Sequence, residues 1–299
     1  MKRMTLFILI FSLFIGVFSS TAFCENTADI SAEDLYLNGK EALDERNYEK
    51  AMEFFLSAAE LGNASALNSI GAMYASGQSV EQSYEKAMEY YQLAAEQSNA
   101  AAFYNIAILY AYGYGVERSE EKADEYIKLA ADTKDPAVMN QIGQAYDMGW
   151  GVEQSYEKAM EYYLIAADLG DPTAFINLGD LYLQGHGVEL SYEKALEYYH
   201  IAEDLGSPWA PNQLGMMYEN GWGVEQSYEK AAEYYQHAAD YGLVSGWYHL
   251  GNLYENGLGV EQSYEKAVEY YLLAADKGYA KADDSLNRLA EEGHYSPEE

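Results

Sequence analysis

Six Ser-x-x-Lys pairs are the residues of this chain whose types and spacing come nearest to a reactive motif. In some hydrolases this spacing places a nucleophilic serine one helical turn before its lysine. A nucleophile needs a single preorganised site with a base and an oxyanion hole, whereas here the pair recurs in every copy of a repeat. We therefore expect the serines to cap helices, and we predict no catalytic residue. The pairs are Ser83/Lys86, Ser119/Lys122, Ser155/Lys158, Ser191/Lys194, Ser227/Lys230 and Ser263/Lys266.

Histidines and glutamates are the residues of this chain that could bind a metal. The histidines lack the i, i+4 pairing that is typical of a zinc site on a helix. Glutamates four residues apart, such as Glu81, Glu85 and Glu89, recur on one helical flank and could form a calcium ladder. No loop carries the closely spaced oxygen ligands of a dedicated calcium site, so we interpret the flank as a solvated surface. We predict neither a metal nor a cofactor.

An internal repeat positions these residues. The segment Val-Glu-x-x-x-Glu-Lys-Ala recurs every 36 residues, and the spacing contains no insertion or deletion. Such regularity predicts a single stacked architecture. The segment begins at Val80, Val116, Val152, Val188, Val224 and Val260, which defines units 63–98, 99–134, 135–170, 171–206, 207–242 and 243–278.

Each unit has the apolar periodicity of two helices, which we call helix A and helix B. In the fourth unit, Ala174, Leu178 and Leu181 lie on one face of helix A, and Ala195, Tyr199 and Ala202 lie on one face of helix B. A glycine or alanine recurs in helix A, where it permits close approach of a neighbouring helix. Those residues are Gly71, Ala107, Gly143, Gly179, Gly215 and Gly251.

Helix boundaries are marked by capping residues. Asp135, Asp171 and Ser207 precede a proline and are predicted N-caps of helix A. Serines cap helix B in the same way, and glycines such as Gly170 and Gly206 stand where a left-handed residue ends a helix. Tyrosine pairs in helix B are predicted to form the core between repeats; a stacking platform for ligands is the alternative. The pairs are Tyr90-Tyr91, Tyr162-Tyr163, Tyr198-Tyr199, Tyr234-Tyr235 and Tyr270-Tyr271.

The consensus of these units is Leu-Gly-x-x-Tyr-x-x-Gly-x-Gly-Val, followed by Tyr-Glu-Lys-Ala-x-Glu-Tyr-Tyr-x-x-Ala-Ala. It closely resembles Sel-one-like repeats, which are relatives of tetratricopeptide repeats with a longer loop inside the helix pair. The resemblance covers residues 63–278, and repeat two departs most, with Glu120 and Ile127 at aromatic positions. The implied fold class is all-α: a right-handed superhelical solenoid of tandem helix-turn-helix repeats, in which successive pairs cover each other's apolar faces.

The ends of the chain complete the predicted domains. A basic start at Lys2 and Arg3, an apolar run from Thr5 to Phe18 and small residues near Ala22 predict a signal peptide over 1–24. Cleavage after Ala22 or Cys24 is expected, and lipidation of Cys24 is the alternative. Residues 25–62 are predicted to form a tetratricopeptide-like N-terminal cap, and 279–299 a C-terminal capping helix and tail. No later segment is apolar over the length that a membrane span requires.

Charge limits the partners. The chain has 17 basic and 49 acidic residues, a formal net charge of -32. Such a surface repels polyanions, so we predict no nucleic-acid binding and expect the chain to attract basic partners.

One face of helix A varies between repeats while the core face stays constant. In tetratricopeptide-type arrays this face lines the concave groove where partners bind, so the resemblance makes it the predicted contact surface; a merely solvated inner face is the alternative. We place most weight on Trp209, Met216 and Tyr248, because aromatic residues and methionine are enriched at binding interfaces. The predicted contacts are Tyr104, Ile108, Asn140, Gln144, Ile176, Asp180, Trp209, Asn212, Met216, Tyr248 and Asn252; Ala111, Asp147, Leu183, Glu219 and Glu255 occupy the same face.

The residue between the two loop glycines also varies. It could form a second, aromatic contact ridge, or each side chain could pack on the neighbouring loop, which is the interpretation we favour. The residues are Gln78, Tyr114, Trp150, His186, Trp222 and Leu258.

The function predicted from the sequence is that of an exported, secreted or periplasmic, non-enzymatic scaffold that binds a protein or peptide. One alternative is a weak enzyme acting on β-lactams or peptidoglycan, as described for cysteine-rich bacterial relatives, although their paired cysteines are missing here. A second alternative is a luminal adaptor of a eukaryotic endoplasmic reticulum.

Overall fold

A computed structural model describes residues 30–296, which form fifteen helices and no strand. The predicted signal peptide lies outside these described residues. The chain divides into two compact units, one up to Gln97 and one from Ser98. The first contains α1 Ala32–Asp44, α2 Tyr48–Glu60, α3 Ala64–Ser76 and α4 Tyr84–Ala95. The second contains α5 Ala100–Tyr112, α6 Glu120–Asp132, α7 Pro136–Met148, α8 Tyr156–Asp168, α9 Pro172–Gln184, α10 Tyr192–Asp204, α11 Ala210–Asn220, α12 Tyr228–Asp240, α13 Val244–Asn256, α14 Tyr264–Asp276 and α15 Ala280–Glu291.

Consecutive helices pair as hairpins, and within each unit the second helix of one hairpin packs on the first helix of the next. In the second unit, α15 covers α14 and buries Leu286 and Leu289 beside Tyr271. The predicted all-α class of tandem helix pairs is therefore confirmed.

Caps set the helix ends largely as predicted. Each Ser-x-x-Lys serine accepts a hydrogen bond from the backbone N–H of its lysine, for example Lys194 N to Ser191 Oγ at 3.3 Å. A glycine with φ between 64° and 73° ends each helix A of the six 36-residue units. Asp135 and Asp171 cap α7 and α9, each followed by proline. These local bonds satisfy backbone groups that a helix leaves open at its ends.

The predicted cap at Ser207 is wrong. Helix α11 begins at Ala210, after a turn through Pro208 and Trp209, and Trp209 makes no side-chain cap bond. The reason is Pro211, which occupies the place where Met139 donates its backbone N–H to Asp135 in the third repeat. Proline has no N–H, so the first hydrogen bond of a helix starting at Pro208 cannot form.

The recurring small residue of helix A contacts the second tyrosine of helix B in the same hairpin. A Cβ atom added to Gly71, Gly143, Gly179, Gly215 or Gly251 would lie within 2.6 Å of the ring of that tyrosine. Repeat two has Ala107 and Ile127 buried in one cluster instead, so a larger residue in helix A accompanies a smaller one in helix B. The constraint is therefore the combined volume of the pair.

The first tyrosine of each pair has a different contact. It stacks on a tyrosine that recurs in helix A of the same hairpin, and Tyr126 does the same in repeat two. The ring centroids are 5.5 to 5.8 Å apart in all six units, and the helix A tyrosines are Tyr74, Tyr110, Tyr146, Tyr182, Tyr218 and Tyr254. The lysine of the Ser-x-x-Lys pair lies over the same helix A tyrosine, with Nζ 4.6 to 5.0 Å from its ring centroid. Both rings of each pair thus hold the hairpin together.

Substitution Gly71→Ala tests the volume constraint. The added methyl group meets the Tyr91 ring, so we expect it to lower the free energy of unfolding by about 1–3 kcal/mol. In a Tyr91→Ile background, which reproduces the Ala107 and Ile127 pair, the same substitution should cost far less. Urea unfolding followed by circular dichroism measures both effects. An equal cost in the two backgrounds would show that the contact does not limit the packing.

Candidate functional site

The predicted contact residues of helix A differ widely in exposure. Trp209 is 52% exposed, whereas Asn140 and Ile176 are buried and the other eight are half-buried. A substantial part of the variable face therefore contributes to packing as well as to the surface.

Three of these residues meet in one pocket of about 240 Å³ between α9 and α11. Ile176 forms its apolar wall, Trp209 stands at the start of α11, and Asn212 lies one turn further on. Thr173, Asn177 and Gln213 complete the lining. The late start of α11, caused by Pro211, is what places Trp209 outside the helix and exposes its ring.

Two amide side chains of the pocket lining form hydrogen bonds to neighbouring helices. Asn177 Nδ2 donates to Asn140 Oδ1 at 2.7 Å, which joins α9 to α7. Gln213 Nε2 donates to Asp180 Oδ1 at 2.8 Å, which joins α11 to α9. These bonds hold the lining amides in fixed orientations, as a recognition site requires.

Asn212 is the amide least committed to the fold. Its Nδ2 makes long contacts, 3.3 Å to Gln213 Oε1 and 3.8 Å to Met216 Sδ. Its Oδ1 is buried and accepts no hydrogen bond within the described chain. An acceptor in this state is energetically costly, so a donor that reached it would be favoured.

Asp180 is a half-buried carboxylate that accepts a hydrogen bond from Gln213, a residue of the pocket lining. Burial raises its pKa, and hydrogen bonds from the Tyr199 hydroxyl, at 2.6 Å, and from Gln213 act in the opposite direction. Burial, followed by the charge of Asp180, raises the pKa of Tyr199 as well. Within this pair the Tyr199 hydroxyl donates and the Asp180 carboxyl accepts.

Acidic residues at the end of helix A accept hydrogen bonds from tyrosine hydroxyls of helix B, a role that the sequence analysis did not predict. Asp147 accepts a hydrogen bond from the Tyr163 hydroxyl at 3.2 Å, Glu255 accepts one from Tyr271 at 2.7 Å, and Glu219 accepts one from Tyr235. A buried hydroxyl needs such an acceptor. Repeat two has Ala111 and Ile127 in place of the acid and the tyrosine, but repeat one combines Ala75 with Tyr91, so the sequence pattern alone does not reveal the pairing.

The remaining predicted contacts are distributed over other clusters. Tyr104 packs on the core around Tyr163, and Ile108 lies beside Gly151. Met216 packs on the core cluster that contains Tyr235. Tyr248 stacks in tilted geometry with Tyr271 and Tyr279, at 5.7 and 5.1 Å. Gln144 and Asn252 are half-buried on α7 and α13. Tyr248 is thus not grouped with Trp209.

An ion pair strengthens the end of the array near Tyr248. Arg288 Nη1 of α15 lies 2.6 Å from Glu255 Oε1. Burial alone would raise the pKa of Glu255, but the hydrogen bonds from Arg288 and Tyr271 outweigh burial and lower it. This acidic residue of the variable face is therefore part of the junction with the capping helix.

In two repeats the residue between the paired glycines packs on the first residue of helix B in the preceding repeat, and not on the neighbouring loop as predicted. His186 stacks on Tyr156 of the preceding repeat at 4.4 Å, and Trp222 stacks on Tyr192 at 5.7 Å. Trp150 differs, because 54% of it is exposed.

Residues 30–296 show neither a metal cluster nor a membrane-spanning helix. This part of the chain contains no cluster of three or more histidine, cysteine, aspartate or glutamate side chains arranged to hold a metal ion. None of its helices combines the length and apolar character needed to cross a membrane.

Comparison with known proteins agrees with the geometry. The fold is that of a tandem helical-repeat protein, and the model of the Sel1 repeat matches seven segments: 29–63, 64–99, 100–133, 136–171, 174–207, 212–242 and 248–279. These matches cover more than half of the chain, which therefore belongs to the Sel1 repeat family. The first segment includes α1 and α2, which the sequence had predicted to be a tetratricopeptide-like cap; the domain boundaries themselves stay a prediction.

Solved structures with the same fold come from bacteria and yeast. A Sel1 repeat protein from Oxalobacter formigenes is 29% identical, with a TM-score of 0.59, over 81% of this chain and 96% of that one. Protein c5321, a protective antigen of uropathogenic Escherichia coli with an SLR fold, is 28% identical, with a TM-score of 0.59, over 88% of this chain. This chain spans only 57% of c5321. Yeast Tom70 shares the fold alone, at 17% identity and a TM-score of 0.54. No curated protein matches the chain in sequence.

Substitution Asp180→Asn tests the effect of partial burial on this carboxylate. The pKa of Asp180 is higher in the folded protein than its ordinary value of 3.8, so the folded state binds this proton more tightly. Its contribution to stability is therefore fully present below the ordinary value and is lost as pH rises through the folded value. As the pH falls toward that ordinary value, acidification should raise the unfolding free energy of the wild type more than that of the variant.

The exposed Asp168 provides the control, since Asp168→Asn should keep the wild-type pH dependence. Chemical unfolding at several pH values measures all three proteins. Parallel curves for the wild type and Asp180→Asn would contradict the assignment.

Proposed function

We propose that this protein is an exported, non-enzymatic scaffold that binds a protein or peptide through the variable face of helix A, centred on the pocket between α9 and α11. The observation that carries the proposal is the exposed indole of Trp209 beside a pocket whose amides are held in place by neighbouring helices. Tryptophan is enriched among the residues that dominate binding energy.

The chemistry of the pocket supports a peptide ligand. Ile176 and Trp209 offer apolar contact, while Asn177, Asn212 and Gln213 offer amide groups that can bond a peptide backbone. The net charge of -32 favours ligands with basic residues.

The structural roles of the six Ser-x-x-Lys pairs, the residues most similar to a nucleophile motif, favour a scaffold over an enzyme. The six serines are helix caps and the six lysines lie over tyrosine rings, so the same two structural tasks are repeated six times. Neither the β-lactam alternative nor the luminal alternative gains an observation of its own.

Export is proposed from the sequence of residues 1–24. The similar E. coli protein is described as a protective antigen. A location outside the cytoplasm, in a bacterial periplasm or beyond, is the corresponding proposal for this chain.

Trp209→Ala tests the binding face. Quantitative capture of partners with the mature protein identifies a candidate, whose dissociation constant is then measured with purified components. We expect Trp209→Ala to weaken binding at least tenfold, which is about 1.4 kcal/mol. The matched control is Tyr241→Ala, which removes an equally exposed aromatic side chain (58%) at the end of α12, outside the pocket. If every captured partner binds both variants as tightly as the wild type, the helix A face is not the binding site.

Export is tested by expression of the complete chain in a bacterial host. We expect the protein in the periplasmic or extracellular fraction, with a mature N-terminus after Ala22 or Cys24 when its mass is determined. Deletion of Thr5 to Phe18 should leave the chain in the cytoplasm, because this apolar run is the predicted targeting signal. An unprocessed wild-type chain in the cytoplasm would refute export.

A further inference from the structure

A tyrosine at the first position of helix B links successive repeats of the second unit. Tyr156 stacks with His186 in the next loop, and a Cβ on the following Gly187 would lie 2.6 Å from the Tyr156 Cβ. Tyr192 makes the equivalent contacts with Trp222 and Gly223. Tyr264 stacks with His294 of the C-terminal segment at 3.7 Å. Each of these tyrosine rings thus stacks on a side chain of the next repeat or of the C-terminal segment.

Repeat two has no such ring, because Glu120 occupies this position. The loop of repeat three consequently rests on α5: a Cβ on Gly151 would meet Ala111 at 2.9 Å, Tyr112 at 3.5 Å and Ile108 at 3.6 Å. Trp150, the counterpart of His186 and Trp222, remains 54% exposed.

The altered junction leaves a pocket of about 650 Å³, lined in part by Tyr112, Arg118, Glu120, Asp124, Glu153 and Lys158. This volume lies within the range of small-ligand and side-chain sites and exceeds that of one aromatic ring. The pocket therefore occurs where the repeat departs from its own pattern.

Repeats two and three also carry exposed apolar side chains, one of which, Tyr112, lines the pocket. Tyr112 and Tyr114 are 43% and 41% exposed and stack on each other at 5.4 Å, and Met148 is 57% exposed. At the helix A position of Tyr112 and Met148, the other four repeats carry polar residues: Ser76, Gln184, Asn220 and Asn256. A local group of exposed aromatic and methionine side chains is typical of an interaction surface.

The charges of the lining define the partner further. Arg118 is paired with Glu120 at 2.8 Å, and Lys158 lies over the Tyr146 ring at 4.7 Å. The two cations of the lining are thus engaged inside the chain, and Asp124 and Glu153 add two further carboxylates. The lining is net negative on a strongly negative protein, so it attracts cationic groups and repels anionic ones.

We propose that this pocket binds an aromatic side chain flanked by lysine or arginine in an extended segment of another protein. The partner's ring takes the place that tyrosine has in the other repeats and stacks on Trp150, while its basic residues lie near Asp124 and Glu153. The pocket belongs to repeats two and three and the Trp209 pocket to repeats four and five, so this interaction extends the proposed function with a second, independent contact.

The experiment uses the mature chain and three short capped peptides: Gly-Lys-Tyr-Lys-Gly, the same peptide with alanine for tyrosine, and the same peptide with glutamate for both lysines. Binding is followed by the NMR signal of the Trp150 indole N–H, assigned with Trp150→Phe. We expect saturable shifts with the first peptide and at least tenfold weaker binding of the other two.

Glu120→Tyr is the decisive variant, because it restores the tyrosine of the other repeats and closes the pocket from within. We expect it to weaken binding of the tyrosine peptide at least tenfold while thermal stability is kept or increased. Glu121→Tyr is the matched control: it makes the same chemical change at the adjacent exposed position and should bind as the wild type does. Trp209→Ala should also bind this peptide normally, which separates a failure here from a failure at the other pocket.

Three results would overturn the proposal. The first is no shift of the Trp150 signal at the highest peptide concentration. The second is equal binding by Glu120→Tyr and Glu121→Tyr, or equal binding of the tyrosine and alanine peptides. The third is concentration-dependent self-association of the wild type that Glu120→Tyr abolishes, since a second copy of the chain would then be the occupant.

Discussion

The contact between a small residue of helix A and a bulky residue of helix B inside each hairpin is the constraint on which the rest of the structure depends. Glycine and tyrosine meet in five of the six units, and in repeat two alanine and isoleucine share a buried cluster instead. The ring fills the hairpin only when helix A has no side chain at that point. In three of these hairpins the tyrosine hydroxyl then requires the acid at the end of helix A, so one steric requirement leads to an electrostatic one.

Because the core contacts are the same in each repeat, departures from the pattern are informative. Pro211 delays α11 and exposes Trp209 beside a pocket, and Glu120 removes a linking ring and opens another pocket beside Trp150. Both changes preserve the glycine or alanine contact of their own hairpins. Local exceptions can therefore create distinct surfaces on a scaffold whose stability comes from the repeated contacts.

Much of the fold could be predicted from the sequence, because helix periodicity, serine caps and glycine stops are local signals. Helix bounds such as Tyr192–Asp204 follow directly from Ser191 and the apolar spacing. The cap pattern at Ser207 and Pro208 predicts the wrong start for α11. A helix that began there would need a backbone N–H at Pro211, which proline lacks. Variation between repeats predicts Ile176, Trp209 and Asn212 as contact residues, and these three do share a pocket; their role in binding stays a prediction. The burial of Asn140 and the packing of Tyr248 on Tyr279 depend on contacts between distant residues, which a helical period does not reveal.

The central claim is that partners contact the places where the repeat pattern changes, while the repeated hairpin core only holds them in position. Hydrogen–deuterium exchange of the mature protein, with and without a captured partner, tests this claim most directly. The account predicts new protection over residues 209–213 and, for a partner that uses both surfaces, over 148–152, with little change in the helix B segments. Protection spread evenly over all repeats, or concentrated on the glutamate flank of helix B, would contradict it.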